Sequence, residues 1–160
     1  MYVVYIISMI SKELEDLDDC LARIYAIRQR PAWRRRVLDD LKFVKSLTAL
    51  RVLRAVERRT TAIVRPSVRD VAEEMGTEHS TASRAVASVV EVGFLVKSND
   101  ADDQRKCVLS LTDWGLEALS EATERRREMI AESATDWNLA EIGSLTSLLT
   151  RLADDLESQI

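Results

Sequence analysis

Apolar residues recur at helical spacing along most of this chain and alternate with polar ones over only one short stretch. Residues 1 to about 29 predict one helix with a stripe of Ile6, Ile10, Leu14, Leu17, Leu21, Ile24 and Tyr25. Its acidic middle, Glu13, Glu15, Asp16, Asp18 and Asp19, is expected to face solvent. Pro31 interrupts the pattern. A second helix from Ala32 to Lys45 would turn Trp33, Val37, Leu38, Leu41 and Val44 inward. Ser46 then caps a helix with Leu47, Leu50, Leu53 and Val56 at helical spacing. Residues 60 to 66 are β-branched around Ile63 and Val64 and end in Pro66, which fits a short edge strand.

The next stretch, 67 to 112, organises the chain. Ser67 with Asp70 three residues later forms an N-terminal signature, opening a helix whose apolar side is Val68, Val71, Ala72 and Met75. Gly76 permits a sharp turn. Thr77 or a near neighbour should cap a second helix that buries Ala82, Ala85, Val86, Val89 and Val90. The opposite face shows His79, Ser80, Thr81, Ser83 and Arg84, and Gly93 ends the helix. Then FLVKS, a polar tip NDADDQ and RKCVLSL predict a two-stranded hairpin, with Cys107, Leu109 and Leu111 on one face. The expected fold is mostly α with a small β wing: a helix-turn-helix followed by a wing.

Beyond the hairpin, Thr112 opens a helix carrying Leu116, Leu119, Met129 and Ile130 to about Thr135. Asn138 and Glu141 restart the chain. There Leu139, Ile142, Leu145, Leu149, Leu152, Leu156 and Ile160 form a near-continuous seam. A short domain does not need two such long terminal helices for its own core, so a bundle between two subunits is expected.

Length and charge refine this picture. A chain of 160 residues, with four glycines and two prolines, fits one mostly helical domain. The net charge is −4, but residues 21 to 60 hold twelve Lys or Arg against three acids, and residues 111 to 160 hold four against eleven. Such asymmetry lets one face meet a polyanion. Cys20 and Cys107 are too far apart in sequence for a metal motif and give no disulfide framework, so no metal is expected. No cofactor is expected either. The apolar start MYVVYIISMI lacks a basic leader and is too short to span a bilayer, which predicts a cytoplasmic protein without a membrane partner. The single histidine, His79, has no nucleophile or carboxylate pair at a suggestive spacing, and no glycine-rich phosphate loop occurs. An enzyme is not indicated.

Double-stranded DNA suits the pattern better. A helix N-terminus offers N–H groups and partial positive charge to phosphate. Ser80, Thr81 and Ser83 are small enough for close approach, and Arg84 can reach guanine acceptors. Ser67 and Arg69 lie at the start of the preceding helix, and Arg105 and Lys106 stand at the wing tip, where an arginine can enter the minor groove. A winged-helix module that binds protein instead of DNA is the competing expectation, motivated by the acidic overall balance.

Residues 100 to 115, DADDQRKCVLSLTDWG, resemble the wing of the MarR family of bacterial transcription regulators, with Asp100, Asp103, Arg105, Leu111, Thr112 and Gly115 matching in order. LTALRVLRAV, VRDVAEEMG and STASRAVASVVEVGFLVK are also similar to family helices. The resemblance implies one domain over 1–160, with dimerisation helices at 1–45 and 116–160 around a winged-helix region at 46–115. It implies a repressor dimer on a near-palindromic operator. Arg105 would then probe the minor groove, with Asp103 holding the wing or that arginine. It also implies release by a small aromatic or anionic effector, for which Tyr25, Trp33, Arg34 and Trp114 are the candidate pocket. Some relatives sense oxidants through a first-helix cysteine, but here Asp18 and Asp19 beside Cys20 disfavour the thiolate. Cys107 is expected to pack. The small-sided recognition helix (Ala82, Ala85, Ala87), with Glu78 near its start, departs from the family and leaves the target sequence open.

Overall fold

The computed structural model describes residues 2–61, 64–100 and 106–159, with side chains from residue 11 onward. It divides into two compact units, Met1–Arg125 and Arg126–Ile160.

In the first unit, helix α1 (Tyr2–Gln29) stops at Arg30, whose backbone is extended, and the chain resumes as α2 (Pro31–Leu38). Proline suits the first helical position because the N–H it lacks would find no intrahelical partner there. The second helix, expected to run to Lys45, ends at Leu38. Leu41 and Val44 are still buried, now from an irregular connector. The cause is a distant acceptor. The Lys42 backbone N–H donates to both oxygens of Glu121, at 3.0 and 3.2 Å, across 79 residues of sequence, so a side chain takes the place of a helical carbonyl.

Helix α3 (Leu47–Arg59) starts at Ser46, whose Oγ accepts from Ala49 N–H, and buries Val52, Leu53, Ala55 and Val56. There follow α4 (Val68–Met75), α5 (His79–Glu91), β1 (Leu95–Asn99), β2 (Cys107–Leu111) and α6 (Asp113–Ser133). The strands pair antiparallel, Leu95 opposite Leu111 and Asn99 opposite Cys107, and make the wing. One core joins them: Leu53 and Val56 from α3, Val71 and Met75 from α4, Val86 and Val89 from α5, Phe94, Leu95 and Leu109 from the wing and its root, and Leu119 from α6. Burial of this kind stabilises by about 25 cal/mol per Å² of apolar surface.

Two local expectations change. Among the described residues no strand forms at 60–66; Ala62 and Ile63 lie outside them. A backbone bond, Leu109 N–H to Pro66 C=O at 2.8 Å, ties this segment to β2. Cys107, expected to pack, is exposed, while Val108 and Leu109 are both buried. The middle of β2 is covered on both faces, and Cys107 lies at its outer end towards the tip.

The second unit holds the end of α6, a turn and α7 (Leu139–Glu157). Asn138 caps α7: its Oδ1 accepts from Glu141 N–H at 3.0 Å, and the Glu141 carboxylate accepts from Asn138 N–H at 2.8 Å. No residue of α7 is buried. Leu139 is 88% exposed, and Ile142, Leu145, Leu148, Leu149 and Leu156 are exposed as well. Among the described residues no helix is long and apolar enough to cross a membrane.

Candidate nucleic-acid interface

The interface is built from the cap of α4 outward. Ser67 N–H donates to Asp70 Oδ2 at 2.7 Å, Ser67 Oγ–H donates to the same oxygen at 2.8 Å, and Asp70 N–H donates back to Ser67 Oγ at 3.3 Å. The bond from the Ser67 backbone, with that from its hydroxyl and the nearby Arg59 and Arg69, holds the Asp70 carboxyl below its ordinary range against the opposing effect of burial. The Ser67 hydroxyl is therefore committed to its own helix. At the other end Gly76 adopts φ 59°, and Thr77 N–H reaches Ala72 C=O while Gly76 N–H reaches Glu73 C=O, each at 3.0 Å. This left-handed close turns the chain within one residue.

Helix α5 begins not at Thr77 but after its neighbour. Glu78 occupies the N-cap position with extended backbone, and its side chain makes no capping bond. The first N–H groups of α5 thus receive no side-chain acceptor from their own cap, the condition under which an outside anion is favoured there. Ala82, Val86 and Val89 are buried. His79, Ser80, Thr81 and Arg84 are exposed together on the outer side, and Ser83 is half-buried. Arg69, from α4, is exposed and pairs with Glu73 at 3.3 Å. An open depression lies at this turn, lined by Arg69, Glu73, Gly76, Thr77, Glu78 and His79 among others. Lys106 is exposed at the base of the wing tip, and its carbonyl accepts from Asp100 N–H at 2.9 Å. Asp103 and Arg105 lie outside the described residues.

Several supporting residues give no signal of their own in the sequence. Arg51 donates to the Met75 carbonyl at 2.7 Å, closing the C-terminus of α4. Arg58 and Arg59 both reach Glu74, at 3.2 and 2.9 Å. Burial, the largest single influence on Glu74, would raise its carboxyl, but the hydrogen bonds from Arg59 and Arg58 outweigh it and the group lies below its ordinary value. The Glu74 hydrogen bond in turn raises Arg59. At the wing root, Thr112 Oγ1 donates to Gly93 C=O at 2.8 Å and accepts from Gly115 N–H at 3.0 Å, while Thr112 N–H donates to Phe94 C=O at 3.1 Å. A Cβ on Gly115 would sit 2.1 Å from the Phe94 oxygen, which only glycine avoids. In the sequence Thr112 and Gly115 are only parts of a pattern; in the fold each has a physical task.

The four residues predicted to line an effector pocket are dispersed in their contacts. Trp114 stacks edge-on against Phe94 (5.0 Å) and Phe43 (6.1 Å) and remains 45% exposed. Trp33 is half-buried, Tyr25 is 67% exposed, and Arg34 donates to Gln29 Oε1 at 2.5 Å. None of the four lines the depression at the turn.

Known proteins share both the sequence of this region and its architecture. Residues 46–106 match the model of the MarR family. The uncharacterized HTH-type transcriptional regulator YwaE of Bacillus subtilis (strain 168) is 31% identical over 90 residues, which are 56% of this chain and 53% of that one, so the chain spans about half the length of this curated relative. A MarR family protein from Bacillus stearothermophilus superposes with a TM-score of 0.77 at 16% identity, covering 92% of this chain and 97% of the other. The PcaV transcriptional regulator from Streptomyces coelicolor, solved in complex with its natural ligand, gives a TM-score of 0.56 at 25% identity over 84% and 89% of the two chains.

Proposed function

We propose that this chain, whose residues 46–106 match the MarR family model, is a homodimeric transcription regulator of that family that binds double-stranded DNA. The observation that carries the reading is the outer side of α5. His79, Ser80, Thr81 and Arg84 are presented together beside an uncapped helix start, with the wing adjoining. In this reading Ser80, Thr81 and Arg84 read the major groove while Arg69 and Lys106 contact phosphate. Arg105 enters the minor groove, steadied by Asp103. Ser67 acts indirectly, by fixing α4. Residues 46–115 form the DNA-binding part, and the helices within 1–45 and 116–160 form the dimer, which the open apolar stripes of α1 and α7 support. Repression of a near-palindromic operator in the cytoplasm follows as the mode of action. A small aromatic or anionic effector is proposed, the PcaV relative having been solved with its natural ligand; Tyr25, Trp33, Arg34 and Trp114 are the first candidates to hold it.

The test is electrophoretic mobility shift with duplexes from the region upstream of the gene, over a salt series. Specific binding should weaken by about 0.9 log units per log unit of salt for each phosphate contacted. Arg84→Ala should erase the preference for the specific duplex while leaving binding to unrelated duplexes. No preference for any genomic duplex at any salt concentration would reject the reading.

A further inference from the structure

Eight of the twelve basic residues of 21–60 fall into two groups that the structure treats differently. Those of α3 serve the fold: Arg51 holds Met75 C=O, Arg54 pairs with Glu57 and Thr123, and Arg58 and Arg59 hold Glu74. Those at the break between α1 and α2 do not. Arg28, Arg30, Arg34 and Arg35 are all exposed where Pro31 restarts the helix. Arg34 is held by a neutral amide, that of Gln29, which orients its guanidinium without offsetting the charge. Arg28, Arg30 and Arg35 form no ion pair among the described residues. Arg30 and Arg34 stand one helical turn apart, joined by the Arg34 N–H to Arg30 C=O bond at 3.1 Å, a like-charge spacing that destabilises a helix. Folding gains nothing evident from this arrangement. It is a surface awaiting negative charge.

We infer that this arginine corner is a second, sequence-independent contact for the sugar–phosphate backbone of duplex DNA. The inference rests on the DNA-binding reading above. The charge balance of the reading surface supports it: Glu73 answers Arg69 there, and Glu78 and Glu91 are exposed on the same helix pair, so α5 supplies few net cations for phosphate. A chain of net charge −4 needs its counterion-releasing contacts elsewhere. The corner is exposed, as a contact for an extended polyanion requires. Guanidinium forks also suit phosphate oxygens geometrically.

The experiment uses the full chain and a random-sequence duplex of about four helical turns, roughly 40 base pairs. Affinity is followed by fluorescence anisotropy across a salt series for the wild type and for the triple variant Arg30→Gln, Arg34→Gln, Arg35→Gln. The slope of log affinity against log salt should become shallower by about 0.9 for each phosphate no longer neutralised, about 2.7 per protomer and about 5.4 when both protomers of the dimer are engaged. The discrimination ratio between a specific genomic duplex and the random one should stay within about twofold, because phosphate contacts carry no sequence information. An unchanged slope overturns the inference. Arg35→Gln alone, which removes no ion pair of the fold, serves if the triple variant misfolds; its slope should shift by about 0.9 per protomer, about 1.8 for the dimer, and no shift overturns the inference equally. Failure of the wild type to prefer any genomic duplex would instead strike the DNA-binding reading itself.

Discussion

The winged-helix segment from α3 to the wing and the terminal helices α1 and α7 are built on the same apolar periodicity, yet they finish differently. In the first, the stripe is consumed: Val52, Leu53 and Val56 are wholly buried, and the carbonyl end of α4 finds a partner in Arg51. In α7 a stripe of the same quality remains open, with Leu149 still 40% exposed and Leu139 almost bare. One region is sufficient within a single chain. The other has a cap that specifies where it starts, and its apolar stripe is left open. Hydrophobic spacing therefore marks that a face will be covered, and says nothing of what covers it.

That contrast can be broken by paired substitutions. Leu53→Ala should cost about 2–5 kcal/mol in chemical denaturation, because a fully buried leucine leaves a cavity. Leu149→Ala in the same assay, at protein concentrations too low for association, should cost under about 0.5 kcal/mol, as expected of a surface position. Equal losses would show that α7 is already buried in the isolated chain. Leu149→Glu, followed by sedimentation, should weaken self-association by about 100-fold, near 2.7 kcal/mol, with the α3–wing core intact. Retention of the wild-type dimer constant would remove α7 from the interface. Gly115→Ala should lower stability by about 1–3 kcal/mol, since the added methyl meets the backbone of Phe94 and cannot be relieved by a rotamer change. A thermal midpoint equal to wild type would contradict the geometry.

The smallest effect is acid sensitivity. Asp70 and Glu74 have folded-state values below their ordinary 3.8 and 4.5, so the unfolded chain binds protons more readily than the native one. Their contribution is complete above those ordinary values and is lost as pH falls through the lower folded ones. Unfolding free energy measured from about pH 6 downward should decline most below about pH 4.5, and Glu74→Gln should flatten part of that decline. A variant with the wild-type pH profile would show that the Arg58–Glu74–Arg59 cluster contributes nothing to folding.

Much of the frame could be read from local sequence, because local chemistry determines it. Ser67 with Asp70 and Asn138 with Glu141 each close a capping box within four residues, and Gly76 stands where the backbone needs positive φ. The misreadings share one origin in distant partners. Helix α2 stops early because Glu121 claims the Lys42 N–H, which no window of spacing could reveal. Alternation points Cys107 inward, yet burial of Val108 and Leu109 together depends on what lies over both faces of β2. Of the candidate interface, the polar face of α5 was legible as a periodic pattern. The internal use of the Ser67 hydroxyl and the Arg58–Glu74–Arg59 cluster required knowing how α3 packs on α4.

The joint at Gly115 has a mechanical consequence. The Phe94 carbonyl occupies the space a side chain would fill, and Thr112 pins Gly93, Phe94 and Gly115 together through one hydroxyl and one amide. There is no slack between the first turn of α6 and the strand that leaves α5. A tilt imposed on the start of α6 would strain these bonds unless the root of the wing moved with it.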